Sequence, residues 1–206
     1  MSIFARTGDW KSFWEQSPVS TVIFFLNTGF FLAVLVTGGF EASVIQQWGL
    51  LNPVLVLKQN EFWRLFTAPF LHWSIMHFAS NMVLGIIVMS TALERTIGSR
   101  KFSIVYFSSL LISSTAVVVF SESFTQTTGA SGAIFGVMGA LLWLSIYRKD
   151  MLNYRDIQSI WVLIALQVVS TFASIGVSVS GHLGGLVAGF GISYLIIQRN
   201  IFKVLH

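Results

Sequence analysis

The feature that most constrains this chain is its division into six long apolar segments. They cover approximately residues 19–38, 74–93, 102–120, 131–147, 157–176 and 181–198, with almost no charge inside them. At 1.5 Å of helical rise per residue, each is near the length needed to cross a hydrocarbon core about 30 Å thick. Only 10% of the 206 residues are charged, against about 25% in a soluble domain. The expected fold is therefore an all-α, polytopic membrane protein: a bundle of six transmembrane helices in the lipid bilayer. Residues 1–18 form a polar N-terminal segment, 19–198 the bundle, and 199–206 a tail. The first segment carries Arg6, Asp9, Lys11 and Glu15, too polar for a secretory signal peptide. No repeat of solenoid length is present.

The basic residues set the expected orientation. Arg6 and Lys11 precede the first segment, and Arg95, Arg100 and Lys101 lie between the second and third. Arg148, Lys149 and Arg155 lie between the fourth and fifth, and Arg199 and Lys203 follow the sixth. Ten of the twelve basic residues thus fall on one side, leaving Lys58 and Arg64 on the other. The positive-inside rule puts both termini in the cytoplasm. The net charge of +4 is accounted for by this placement, and no nucleic-acid partner is expected. The longest connection, 39–73, then lies outside. It carries Trp48, Phe62, Trp63, Phe66, Phe70 and Trp73, with Pro53 and Pro69 expected to break regular structure. So aromatic a loop suits the membrane interface.

Segments 2, 4 and 6 all run from outside to inside, and each holds one polar group at the same distance from its inner end. Ser131 is 17 residues before Arg148, His182 is 17 before Arg199, and His77 is 17 before Glu94. Each sits roughly 25 Å from the cytoplasmic boundary, just below the outer surface. An ionisable residue within a membrane segment is a functional candidate by default. Ser131 lies between glycines, in Gly129-Ala130-Ser131-Gly132, where a turn would expose a nucleophile. Asn81 is four residues after His77 and shares its face, so the two could donate together to a developing oxyanion.

Each of these residues also has a packing explanation. Gly132, Gly136 and Ala140, like Gly181, Gly185 and Gly189, recur every four residues, the spacing that lets membrane helices approach closely. The two readings agree, because small residues on segments 4 and 6 would bring His182 up to Ser131. Asn81 alone would suit an interhelical hydrogen bond. His206 is terminal and expected to be inert. A metal site is not expected: His72 and His77 are five apart and off one helical face, no carboxylate lies at their depth, and cysteine is absent. A transporter would show midplane charges and an internal repeat, and neither is visible.

Taken together, the chain resembles the rhomboid family of intramembrane serine proteases over about residues 60–190. Glu61-Phe62-Trp63-Arg64 is similar to the family's Trp-Arg signature. His72, His77 and Asn81 match its His-x4-His-x3-Asn pattern, and Glu94 and Gly98 its Glu-x3-Gly turn. Gly129-Ala130-Ser131-Gly132 matches the Gly-x-Ser-Gly nucleophile, and His182-Leu183-Gly184-Gly185 the base motif. The six-segment form is similar to the simpler bacterial members. Two positions depart from the usual pattern. Gly181 stands where alanine often precedes the base, and Phe135 where bacterial members often stack a tyrosine on it.

The resemblance implies a bacterial inner-membrane protease that cuts transmembrane segments of other proteins near their outer end, without a cofactor. It implies Ser131 as nucleophile and His182 as general base, a dyad with no acidic third member. The oxyanion would be held by His77, Asn81 and the Ser131 N–H. Trp63 and Arg64 would anchor the outer loop, and Gly129 and Gly132 would shape the turn. Segment 5, with Trp161 and Phe172 and no chemical group, would be a lateral gate. The rival within the family is a catalytically silent binder of membrane clients, but such relatives usually lack the serine or the histidine.

Overall fold

The computed structural model describes residues 2–5, 9–173 and 176–197. Arg6, Arg199, Lys203, His206 and the tail 199–206 lie outside the described residues. Each apolar segment forms a helix. They are α2 (Pro18–Val36), α6 (Ile75–Ile97), α7 (Ser99–Phe120), α8 (Ser131–Tyr147), α9 (Tyr154–Ala173) and α10 (Val179–Ile196). A short helix, α1 (Trp10–Glu15), precedes them, with the Asp9 side chain accepting from the Ser12 N–H at its start. Five of the six long helices have the length and composition to cross a membrane, and α8 is a shorter apolar helix. The protein is a multi-pass integral membrane protein.

α8 is the axis of the bundle. Its core residues include Ala133, Ile134, Phe135, Val137, Met138, Ala140, Leu141, Trp143 and Leu144, which lie on every face of the helix. Because these residues are buried on every side, the other helices surround it. Its tightest neighbour is α10. A methyl group added at Gly185 would fall 2.0 Å from the Gly132 carbonyl oxygen, and one at Gly189 would fall 1.8 Å from that of Gly136. The two backbones touch because glycine removes everything between them. Gly136 in turn meets the side chain of Ser109 on α7.

The 39–73 connection, expected to form the outer layer, is not a plain loop. It contains α3 (Ala42–Trp48), α4 (Pro53–Gln59), α5 (Arg64–Thr67) and a 3-10 turn over Ala68–Phe70. Pro53 opens α4 rather than interrupting structure, since its missing N–H is one the first helical turn leaves unused. Asn52 completes that start, its side chain accepting from Val54 and Leu55 N–H. Residues 39–73 therefore form a small helical layer across the ends of α2 and α7.

At the opposite end, α6 ends on Gly98, with φ of +83° and its N–H bonded to the Glu94 carbonyl at 2.8 Å. The Glu94 carboxylate is buried and accepts from the N–H groups of Val19 and Ser20 and from the Ser20 hydroxyl. It thereby caps the first turn of α2 from another helix, satisfying donors that α2 cannot satisfy itself. The same end gathers the N-terminal residues. Ser2 Oγ and Ile3 N–H donate to Asp156 of α9, and Arg95 of α6 donates to the carbonyls of Ile3 and Ala5.

Candidate active site

Ser131 is the first residue of α8. The turn before it depends on Gly129, whose φ of +112° disfavours any side chain. The helical layer of residues 39–73 fixes this turn. Leu51 and Thr127 exchange two backbone hydrogen bonds of 2.9 Å, and Gly129 N–H donates to the Ala68 carbonyl at 3.0 Å. Because Ser131 opens the helix, the N–H groups of its first turn have no carbonyl partner within α8. The positive end of the helix dipole therefore lies at the turn that carries Ser131.

His182 stands on the first turn of α10, after Ser178, whose hydroxyl accepts from the Gly181 N–H. Its Nε2 lies 2.9 Å from Ser131 Oγ. Gly132 and Gly185 sit next to these two residues at the backbone-to-backbone crossing, so the contact that joins the helices also joins the side chains. The Phe135 ring stacks on the imidazole, with centroids 4.0 Å apart and an interplanar angle of 17°. A phenyl ring without the hydroxyl thus makes the stack.

His77 and Asn81, one turn apart on α6, converge on the same turn. A methyl group added at Gly129 would meet His77 Nε2 at 2.7 Å and Asn81 Nδ2 at 3.4 Å. Asn81 is buried, and its Nδ2 has no hydrogen-bond partner. A π-helical stretch, Asn81–Ser90, begins at this asparagine, a winding often associated with functional sites. A cavity of about 340 Å³ is lined by His77, Asn81, Ser131, Phe135, Gln167 and His182, among others. It is large enough to hold water and polar enough to keep it.

His72 lies just before α6, buried, with its ring edge-on to His77 at 5.0 Å between centroids. Burial, and after it the neighbouring His77, push the His72 imidazole down to about 3. It is neutral at ordinary pH and wedges His77 from behind. Arg64 is buried in the outer layer, where it pairs with Glu61 and donates to the carbonyls of Gln46 and Leu50 at 2.9 and 3.0 Å. It thus holds the C-terminal end of α3. The Trp63 ring lies 4.5 Å from its guanidinium carbon and, with Thr67, presses on Gly49, whose φ is +106°. Trp63 and Arg64 do not line the Ser131 cavity, and Glu94 and Gly98 lie at the other end of α6.

One residue of the site is not singled out by sequence reasoning. Thr171 of α9 is 2% exposed and lies 2.9 Å from His182 Nδ1. Segment 5 therefore does carry a chemical group, contrary to expectation. A threonine in an apolar helix usually spends its hydroxyl on its own backbone, and Thr171 does that too, which is why it gave no signal. Among the described residues, no group of three or more His, Cys, Asp or Glu gathers to hold a metal ion.

Comparison with known proteins identifies the family. The sequence pattern of the Rhomboid domain matches residues 59–199. YdcA of Bacillus subtilis, a rhomboid relative, is 29% identical over 197 residues, covering 96% of this chain and 98% of its own. The rhomboid protease GluP of the same organism is 36% identical over 161 residues, which is 78% of this chain but 31% of GluP. Rhomboid-like protease 1 of Toxoplasma gondii is 32% identical over 162 residues, 75% of this chain and 53% of its own. The chain thus spans nearly all of YdcA, about a third of GluP and about half of the Toxoplasma protein. By its matched domain, its helical bundle and these relatives, the chain belongs to the rhomboid family of intramembrane serine proteases.

Proposed function

We propose that this protein is an active serine endopeptidase that cuts transmembrane segments of other membrane proteins near their outer end. The observation that carries the reading is the 2.9 Å contact between Ser131 Oγ and His182 Nε2, at a helix start and beside a polar cavity. Ser131 Oγ attacks the scissile carbonyl carbon while its proton passes to His182 Nε2. The carbonyl oxygen becomes an oxyanion, held by the Ser131 N–H, His77 and Asn81 Nδ2. Collapse breaks the C–N bond, and His182 returns the proton to the leaving amine. Water then hydrolyses the acyl-enzyme by the same proton relay.

The orientation follows from the charges. Both termini face the cytoplasm, and the N-terminal ends of α6, α8 and α10 lie toward the outside of a bacterial inner membrane. Residues 19–198 form the protease domain. Trp63 and Arg64 support it by holding the outer layer, Glu94 by joining α6 to α2, and Gly98 by ending α6. α9 is the lateral gate through which a substrate enters, since it borders the cavity with Gln167. Cleavage of a transmembrane reporter in reconstituted vesicles tests the reading. Wild type is expected to cut, and Ser131→Ala and His182→Ala to leave nothing above background. Equal cleavage by wild type and Ser131→Ala would contradict it.

A further inference from the structure

The Thr171 hydroxyl has two neighbours, and their chemistry fixes the direction of each bond. Thr171 Oγ1 lies 2.8 Å from the Gln167 carbonyl oxygen and 2.9 Å from His182 Nδ1. A carbonyl oxygen only accepts, and a hydroxyl has a single proton. That proton therefore goes to Gln167, and Thr171 Oγ1 offers His182 only a lone pair. Nδ1 must be the donor, so in a neutral imidazole Nε2 carries no hydrogen. It is then the acceptor for the Ser131 hydroxyl, also 2.9 Å away.

We infer that Thr171 is a positioning residue for the base: by accepting from Nδ1–H, it holds His182 in the tautomer that leaves Nε2 free to take the Ser131 proton. This rests on the reading of Ser131 and His182 as nucleophile and base. The donors run in one direction, from Ser131 to His182 to Thr171 to the backbone of α9. The dyad thus has a third member, and it is a hydroxyl rather than a carboxylate. Because Thr171 is buried, water does not replace it as the Nδ1 partner. A β-branched side chain that also bonds its own helix has little freedom to turn away. The Phe135 stack restricts the ring's plane, while Thr171 sets which nitrogen bears the proton. The two contacts fix different degrees of freedom. When His182 becomes doubly protonated during attack, Nδ1–H still has its acceptor, so no partner needs to move.

The test reads the tautomer directly. In protein labelled with 15N-histidine, wild type is expected to show His182 with a protonated Nδ1 and a bare Nε2, the signals being assigned by their loss in His182→Gln. Thr171→Val, which keeps the shape and removes the hydroxyl, should weaken that preference. It should also lower kcat roughly tenfold, the ordinary worth of one such bond, with little change in KM. Thr171→Ser should restore most of the rate and the tautomer. A folded wild type with His182 protonated on Nε2 would overturn the inference, and this holds even if Thr171→Val does not fold. So would an unchanged kcat in Thr171→Val, or a rate in Thr171→Ser as low as in Thr171→Val. If Ser131→Ala still cleaved, the dyad reading itself would fall. If the dyad variants were silent and Thr171→Val matched wild type, only the role of Thr171 would.

Discussion

Three helices meet around His182, and two of them are held differently from the third. α8 and α10 touch backbone to backbone through Gly132, Gly136, Gly185 and Gly189, with no side chain between them. α9 buries only Asp156, Ile160, Ile164 and Thr171 along its length, and turns Trp161, Val162, Leu166, Val169 and Phe172 outward. Ser131 and His182, the proposed nucleophile and base, stand on the tight pair. The lightly held helix carries Gln167 and Ser170 at the cavity wall and Thr171 behind the base. The proposed reaction needs the serine and histidine fixed to within a fraction of an ångström, whereas a substrate embedded in lipid would need a wall that can part. The glycine crossing meets the first need, and α9 suits the second. Its firm attachment is at the far end, where Asp156 holds Ser2 and Ile3.

The largest effect is expected from breaking the tight pair. Gly185→Val would place a side chain where even a methyl group lies 2.0 Å from the Gly132 carbonyl oxygen, and backbone cannot yield as a side chain does. The loss is expected to be about 3 kcal/mol or more, with melting temperature and cleavage falling together. A Gly185→Val protein as stable and active as wild type would remove the crossing as the element that aligns the dyad.

The next effect is chemical. Asn81→Ala leaves His77 and the Ser131 N–H in place, so cleavage should fall by about 10², chiefly in kcat, with KM little changed. His77→Ala should lose more, since it also removes the ring that His72 supports. Full activity in the double variant would return both residues to helix packing.

A smaller, thermodynamic effect is expected in the outer layer. Arg64→Ala removes a buried guanidinium that donates to two carbonyls. That should cost about 2 kcal/mol and reduce activity in step with thermal stability, because the same layer fixes the turn at Gly129. Activity lost at an unchanged melting temperature would give Arg64 a direct role at the site instead.

The smallest effect sharpens the contrast from the other side. Leu166 on α9 is 62% exposed, so Leu166→Ala should change stability by no more than about 0.5 kcal/mol. A loss comparable to that of Gly185→Val would mean that α9 is held as firmly as α10.

Much of this is legible in the sequence, and the reasons differ by residue. The six spans follow from apolar run length alone. The level shared by Ser131, His182 and His77 follows from counting back to the charges that end each segment, because helical rise is constant. The glycine spacing on segments 4 and 6 gives the face that each turns to the other. What could not be read is rotation and through-space contact. Thr171 looks like any threonine on an apolar helix, and only the azimuth of α9 turns it to His182. Glu94 is legible as the start of a turn, but not as the cap of α2, which lies 74 residues away in sequence. Likewise, Pro53 reads as a breaker until Asn52 is seen beside it, starting a helix.

The central claim is that His182 activates Ser131 for attack on a carbonyl-like centre. Its most direct test is reaction of the purified, reconstituted protein with a fluorophosphonate, with the modified residue mapped by peptide mass spectrometry. The account predicts a single adduct on Ser131 in wild type. It predicts none in Ser131→Ala, and labelling reduced to background in His182→Ala, where the hydroxyl remains but its base is gone. Labelling of His182→Ala at the wild-type rate, or an adduct elsewhere that persists in Ser131→Ala, would contradict it.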